Sequence, residues 1–276
     1  MSGAVDLVIS GGSIEGICDA VGFIKAITVD LGLSIASAAG ASAGGVILGI
    51  YAAGNNISDI EKLVLDIDFS QWISVPSWWN VFKICRALRN GWLSDGSELE
   101  QYLANVTSNK LMKDSRIDLH IAGTDICNSQ LHDFNKINDP NISLALAMRI
   151  TCCVPGCFKP PLYDGTLWGD GSIRSHYPAE LIPTSSRPFY GFLATHFIKK
   201  NEQMRNMEGI YGTISRIIDN TIDVNVRYSE SIASRKPITV YHSGPSYHSW
   251  KLSKQQRKEM IENARITTVN RIKNGY

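Results

Sequence analysis

The sequence lacks an excess of either charge. It has 27 Lys and Arg residues against 26 Asp and Glu residues, a formal net charge of +1 over 276 residues. Such a balance gives no global field that would select nucleic acid, an anionic membrane or a cationic partner, so recognition by charge has to be local. We therefore expect no nucleic-acid partner.

The sequence also has little in the way of long uninterrupted apolar runs. The stretch from Leu31 to Ser58 has no charged residue, but six glycines interrupt it, so a buried strand, turn and helix fit better than a membrane span. The opening MSGAVDLVIS has no basic region followed by an apolar stretch. We expect a protein of the cytoplasm or the periphery of intracellular membranes, with no signal peptide and no transmembrane helix.

The cysteines show no metal-binding spacing. Neither CxxC nor HxxxH occurs, so small buried thiols in a reduced setting are a better interpretation than a zinc site, and we expect no metal. The six cysteines are Cys18, Cys85, Cys127, Cys152, Cys153 and Cys157.

Runs with strand character alternate with runs of helical periodicity. Strands are predicted at Ala4–Ser10, Leu33–Ala38, Ile117–Ala122, Gln130–Phe134, Pro188–Thr195 and Ile238–Tyr241. Helices are predicted at Ile14–Asp30, Val46–Ala53, Ile142–Cys153, Met207–Ile222 and Lys251–Lys273. Residues 57–108 form a predicted helical cap, with an N-cap at Ser94 or Asp95. This order predicts a single α/β domain over residues 1–276 with a mostly parallel sheet.

The segment GASAGG, from Gly40 to Gly45, joins the second predicted strand to a buried helix. It fits the nucleophile-elbow pattern GxSxG with Ser42 at its centre, where a sharp turn needs small neighbours. The helix that follows would aim N–H groups at developing negative charge. A glycine-rich helix start that merely packs closely is the competing interpretation.

The segment GGSIEG, from Gly11 to Gly16, joins the first predicted strand to a helix. It fits either an oxyanion loop or, with Ser13 in place of the middle glycine, a dinucleotide site of the GxGxxG type. The second interpretation requires an acidic residue at the end of the second strand, whereas Asp30 precedes that strand. We therefore expect no nucleotide.

A glycine-rich loop after the first strand, GxSxG after the second and WGDGS around Asp170 together resemble the patatin-like phospholipases. The segment MRITCCVPGCFKPPLYDGTLWGDG, which leads to Asp170, resembles the same family. The resemblance covers about residues 4–195 and implies a three-layer sandwich around a central, mostly parallel sheet, patatin-like in its architecture. Residues 196–276 are expected to complete or cap the domain.

The resemblance also implies an activity, that of a lipid acyl hydrolase of the phospholipase A type with no cofactor. Ser42 would attack the ester carbonyl and Asp170 would act as the base, while N–H groups of Gly11, Gly12 and Ser13 would hold the oxyanion. The expected partners are a phospholipid or other lipid ester and, transiently, a membrane surface. Four further glycines are expected to support the site, namely Gly16, Gly40, Gly44 and Gly171.

The sequence departs from the family pattern at three positions. Ser13 stands where a third glycine is usual, Glu15 where Lys or Arg is usual, and Ser172 where Gly or Ala is common. A Glu15 carboxylate facing the oxyanion loop would oppose negative charge, so it either points away or alters the activity. The alternatives to a phospholipase are a weakly active or inactive lipid-binding module of the same fold and a neutral-lipid lipase.

Rival catalytic groups occur elsewhere in the chain. A Ser-His-Asp triad would draw on His176, His196 or His242, but Ser42 follows only the second predicted strand, earlier than the nucleophile of α/β-hydrolases. Asp125 and Asp164 are rival bases, and both fit better as turn or cap residues.

A group of tryptophans lies close to basic residues in the predicted cap. This mixture fits either insertion at a lipid headgroup boundary or ordinary core packing. The residues are Trp72, Trp78, Trp79 and Trp92, with Lys83, Arg86 and Arg89.

Overall fold

The computed structural model describes residues 3–72, 91–196, 237–242 and 252–275, together with a few single residues between 89 and 231. Eight strands in this part of the chain form one sheet. They are β1 (Ala4–Ile9), β2 (Ser34–Gly40), β3 (Asp118–Asp125), β4 (Gln130–Phe134), β5 (Leu162–Tyr163), β6 (Thr166–Asp170), β7 (Phe189–His196) and β8 (Ile238–His242). The pairs β1–β2, β1–β7, β2–β3 and β7–β8 are parallel, and β4 and β6 both pair antiparallel to β3, as does β5 to β6.

The helices follow the strands in the predicted alternation. They are α1 (Ser13–Lys25), α2 (Ala43–Ala52), α3 (Ile57–Asp66), α4 (Ser97–Val106), α5 (Leu144–Thr151) and α6 (Lys254–Lys273). A π-helical turn, Ala26–Asp30, continues α1. The α/β class and the mostly parallel sheet are thereby confirmed.

The two faces of the sheet are covered differently. Successive side chains of a strand point to opposite faces, and Leu7 and Ile9 of β1 belong to the large core beneath the helices. On the other face Val8 packs against Tyr177 and Leu193. The segment 171–182, with two short 3-10 turns, covers the sheet there. The central sheet therefore lies between a helical layer and a thinner second layer.

Strand β3 aligns the ends of two other strands. Its residue Ile121 pairs with Gly40 of β2 on one edge and with Phe134 of β4 on the other. At Gly123 the second edge is still paired with β4, through His132. Asp170 of β6 also pairs with Gly123, so β6 has to lie on the first edge, the same edge as β2. β2 runs parallel to β3 and β6 runs antiparallel to it, so their carboxyl ends meet along one backbone.

Helix α6 packs on α1 at Gly22, where a side chain would collide with the Ile261 carbonyl oxygen. The Arg257 guanidinium donates from Nη1 to the Val64 and Ile67 carbonyls at 3.0 and 2.5 Å. These contacts tie the end of the described chain to α1 and α3.

The predicted elements that fall on described residues are present, with ends shifted by a few residues. The N-cap prediction at Ser94 or Asp95 is wrong, because α4 begins at Ser97 after Gly96, whose φ is 76°. The Asp95 carboxylate instead accepts the Ser97 N–H at 3.0 Å. The predicted helix 207–222 lies almost wholly outside the described residues.

We expect Gly22→Ala to lower the free energy of unfolding by roughly 1–3 kcal/mol, since the added methyl group must separate α1 from α6. The measurement is chemical denaturation. Gly3→Ala is the matched control, because its added atom would lie 3.8 Å from the Leu33 side chain and meet no backbone. Equal stability of Gly22→Ala and the wild type would contradict the close approach of the two helices.

Candidate active site

Ser42 occupies a strained turn between β2 and α2. Its φ of 47° and ψ of −120° are a backbone conformation that residues with a side chain rarely adopt. The turn closes tightly, because a Cβ on Gly40 would lie 2.6 Å from the Gly45 nitrogen and one on Gly44 would collide with the Ile9 carbonyl oxygen. Both glycines are therefore required by geometry, and the turn has the form of a nucleophile elbow.

Hydrogen bonds made by the backbone of Asp170 hold it at the end of β6. Its N–H donates to the Cys153 carbonyl at 3.1 Å, and its carbonyl accepts from the Thr124 hydroxyl at 2.7 Å. Next to it, Gly171 lies so close to the Ala122 carbonyl of β3 that a Cβ would collide with that oxygen. The carboxylate therefore projects from a position that β3 determines.

The Asp170 carboxylate joins the end of β6 to the elbow. Oδ2 accepts the Ser42 hydroxyl at 2.9 Å, and Oδ1 accepts the Ser172 N–H at 2.8 Å. Ser42 is 8% exposed and Asp170 3% exposed. The two residues that the sequence pairs as nucleophile and base are thus in direct contact.

Burial governs the protonation of this carboxyl group. Loss of solvation raises the pKa of Asp170 to about 7, although the hydrogen bonds from Ser172 and Ser42 act in the opposite direction. An acid with this pKa both accepts and returns a proton readily near neutral pH.

The loop between β1 and α1 contributes backbone donors beside Ser42. Ser13 has a φ of 58°, a positive value that glycine adopts more readily than serine. Within the described chain, neither the Gly12 nor the Ser13 N–H donates a hydrogen bond, as expected at a helix start. The Gly11 N–H, in contrast, donates to the His176 carbonyl at 3.0 Å, so that donor is already used.

Two further contacts shape the loop. The Ser10 hydroxyl bonds to the Gly11 carbonyl at 2.8 Å and accepts the Ala194 N–H of β7 at 3.0 Å, which attaches the loop to the sheet. Gly16 has more room than the elbow glycines, since a Cβ there would lie 3.4 Å from that of Ala43.

Ser42 opens into an apolar cleft with about 580 Å³ of empty volume, including its open mouth. Trp72, considered above for a lipid boundary, lies in the wall of this cleft and is 9% exposed. Trp78, Trp79, Lys83 and Arg86 lie outside the described residues. The cleft lining comprises Ser13, Ile14, Ile17, Ser42, Ala43, Val46, Phe69, Trp72, Leu99, Cys152, Val154 and Phe158.

The rival carboxylates have structural partners of their own. Asp125 accepts the N–H groups of Cys127 and Asn128 at 2.8 and 2.9 Å, which closes the turn after β3. Asp164 has a φ of 48° and lies in the Asp164–Gly165 turn between β5 and β6. Glu15 is 5% exposed and does not occur among the described residues that line the cleft.

The histidine candidates do not form a triad in the described chain, because the Ser42 hydroxyl donates to Asp170. His176 is buried beneath the loop, where a Cβ on Gly11 would lie 2.8 Å from its Cε1. The side chains of His196 and His242 lie outside the described part of the protein.

No cluster of three His, Cys, Asp or Glu side chains that could hold a metal ion occurs in the described ranges. Burial raises the pKa of the Cys152 thiol to about 12, so it is protonated at neutral pH. No helix there is long and apolar enough to cross a membrane.

Sequence reasoning missed Thr151. Its hydroxyl oxygen accepts the Ser42 N–H at 2.9 Å across 109 positions of sequence. A buried threonine at the end of a predicted helix carries no signal of its own, and only the folded chain places it against the elbow.

Comparison with known protein sequences matches this chain to a family model and to individual relatives. A family model described as Patatin-like phospholipase matches residues 7–182. Uncharacterized protein R571 of Acanthamoeba polyphaga mimivirus is 27% identical over 187 residues, 64% of this chain and 61% of that protein. Uncharacterized protein YqhO of Bacillus subtilis (strain 168) is 23% identical over 254 residues, 83% and 86% of the two chains. The chain therefore spans less than two thirds of the mimiviral relative.

Two solved structures share the fold. VipD from Legionella pneumophila superposes with a TM-score of 0.61 at 14% identity, covering 99% of this chain and 67% of that one. ExoU, in its complex with SpcU from the type III secretion system of Pseudomonas aeruginosa, gives a TM-score of 0.53 at 13% identity, covering 99% and 52%. At these identities the likeness is one of fold.

We expect Asp170→Asn to become more stable relative to the wild type as the pH rises. The folded-state pKa of Asp170 is raised to about 7 from 3.8. The protonated carboxyl group therefore contributes its full stabilisation to the folded wild type below about pH 4, and this contribution is lost as the pH rises through about 7. The amide of the variant stays neutral at every pH, so the variant gains at most about 4 kcal/mol in free energy of unfolding relative to the wild type.

Denaturant unfolding at about pH 4 and about pH 8 measures this difference. Asp125→Asn is the control, since the Asn128 side chain lowers the pKa of Asp125 and its amide should gain nothing at the higher pH. A pH-independent difference between Asp170→Asn and the wild type would contradict the raised pKa.

Proposed function

The chain belongs to the patatin-like phospholipase family, a family of lipid hydrolases, and from this premise we propose that it cleaves a fatty acyl ester with a Ser42–Asp170 dyad. The observation that carries the proposal is the 2.9 Å hydrogen bond from the Ser42 hydroxyl to the buried Asp170 carboxylate. An elbow serine needs a base within hydrogen-bond reach, and Asp170 meets that requirement directly.

The proposed reaction has two halves. The Ser42 oxygen attacks the ester carbonyl carbon while its proton passes to Asp170. The bond to the alcohol then breaks, and the alcohol leaves with that proton. Water attacks the acyl-enzyme and gives a proton to Asp170, and the fatty acid departs as the proton returns to Ser42. No cofactor takes part in either half.

Backbone N–H groups are the proposed oxyanion donors. Gly12 and Ser13 remain available at the start of α1, and Ala43 adds a third at the start of α2, since no hydrogen bond from its N–H occurs within the described chain. Donors of this kind each contribute roughly a hundredfold to a thousandfold in rate. Gly11 instead anchors the loop through its bond to His176.

The apolar cleft supports an acyl chain as the group that is bound. Ile17, Val46 and Phe69 line it together with Ser42, and none of these apolar side chains can hydrogen-bond a polar headgroup. The family supports a phospholipid ester as the substrate, taken from a lipid surface by transient contact. Glu15 does not line the cleft, which supports an oxyanion site free of that charge.

We expect Ser42→Ala and Asp170→Asn each to lower the rate of fatty acid release from phosphatidylcholine vesicles roughly ten-thousandfold. Ser42→Ala should also lose labelling by a fluorophosphonate probe, because that probe bonds to the nucleophile. Asp125→Asn and Asp164→Asn are matched controls that should retain activity, since both carboxylates belong to turns.

Hydrolysis or labelling that persists in Ser42→Ala would refute the assignment of the nucleophile. A folded wild type without activity on several phospholipids and acylglycerols would instead favour a lipid-binding module of this fold. Activity on acylglycerols alone would identify a neutral-lipid lipase.

The rate should depend on pH through the base. Because Asp170 must be ionised to accept the Ser42 proton, we expect kcat/KM to rise with pH, with an apparent pKa of about 7. Below this value the rate should fall about tenfold per pH unit. A profile that is flat between about pH 5 and 8 would contradict Asp170 as the base.

A further inference from the structure

The carboxyl end of α5 contacts both members of the dyad. The Thr151 hydroxyl oxygen accepts the Ser42 N–H at 2.9 Å, and the Cys153 carbonyl accepts the Asp170 N–H at 3.1 Å. These contacts lie two positions apart in sequence, whereas Ser42 and Asp170 are 128 positions apart. One short segment therefore sets the positions of both backbones.

The Ser42 N–H depends on this contact. β2 ends at Gly40, so the sheet gives no ladder partner to Ser42, and its N–H lies ahead of the first turn of α2. The elbow is buried, and a buried N–H without a partner is costly. The bond to Thr151 thus stabilises a backbone conformation that is itself unfavourable.

Thr151 differs from other buried threonines in helices. The Thr107 and Thr268 hydroxyls each donate to the carbonyl four residues earlier, at 2.7 Å, an arrangement that serves only their own helix. No such bond occurs for Thr151 within the described ranges, and its oxygen instead accepts from another element. Its methyl group also faces Gly45, where a Cβ would lie 2.9 Å from it.

We propose that Thr151 is a positioning residue for the nucleophile, which it holds in the attacking geometry by accepting the Ser42 N–H. The proposal rests on the proposed function, since it gives the hydrogen bond a role in the reaction of Ser42. The Asp170 carboxylate accepts from Ser42 and Ser172, and no hydrogen bond joins it to Thr151 within the described residues, so the effect of Thr151 passes through the backbone of Ser42.

The test compares Thr151→Val, which keeps the shape of the side chain without the acceptor, with Thr151→Ser, which keeps the acceptor. Thr151→Val should lower kcat by about tenfold to a hundredfold, because small displacements of a nucleophile are costly, while KM stays within about twofold. Thr151→Ser should retain kcat within about threefold. The apparent pKa of kcat/KM should stay that of the wild type in both variants.

Thr268→Val is the matched control. It removes an equally buried hydroxyl in α6 and should leave kcat unchanged even if the unfolding temperature falls. Wild-type kcat in a folded Thr151→Val protein would overturn the proposal. An equal loss of kcat in Thr151→Val and Thr151→Ser would overturn it as well, because the acceptor would then not be the cause.

Hydrogen exchange separates this proposal from the proposed function. NMR of protein with isotope-labelled serine, with the Ser42 amide identified by its loss in Ser42→Ala, needs no activity. The Ser42 amide should exchange about tenfold faster in Thr151→Val than in the wild type, and at the wild-type rate in Thr151→Ser. Unchanged exchange in Thr151→Val would overturn the role of Thr151, whereas an inactive wild type with this exchange pattern would overturn only the hydrolase.

Discussion

The site depends on the backbone of β3, along which two strands of opposite direction end facing each other. Gly40 pairs with Ile121 and Asp170 with Gly123, on the same edge. Ser42 comes two residues after the first of these pairs, so the register of β3 brings its hydroxyl within hydrogen-bond reach of the carboxylate. A shift of β6 by one residue would turn Asp170 to the other face of the sheet and break its hydrogen bond to Ser42.

The burial of the proposed dyad also sets the acidity of its carboxyl group. Removing Asp170 from water raises the pKa of its carboxyl group. The carboxylate is then a stronger base, but its ionisation costs folding free energy at neutral pH. Ser42 carries a second cost in its positive φ, and Ser13 a third in the neighbouring loop. The close-packed core of the helical face has to offset all three, which agrees with the many fully buried side chains of α1 and α2.

The sequence predicted the elements and the pairing of Ser42 with Asp170, which are in contact in the structure, because each leaves a local signal. Alternating apolar runs predict the strands, and small residues around Ser42 predict the elbow. Asp170 was found through the family resemblance of its segment. The contact of Thr151 with Ser42 leaves no such signal, since it joins positions 109 apart and exists only after α5 has packed. The hydrogen bond from the Gly11 N–H to the His176 carbonyl also joins distant positions in sequence, so no local pattern could have shown that this donor is already used.

Most of the groups that hold Ser42 and Asp170 in place belong to the main chain. The Ser172 N–H and the Cys153 carbonyl, like the proposed oxyanion donors on Gly12, Ser13 and Ala43, would be present with almost any side chains at those positions. What the backbone requires is room, which is why glycines stand at 40, 44 and 171, each pressed against another segment. By our proposals, side-chain chemistry is then needed at Ser42, Asp170 and Thr151. A site built in this way constrains few positions in sequence, and most of these positions fall in three short motifs.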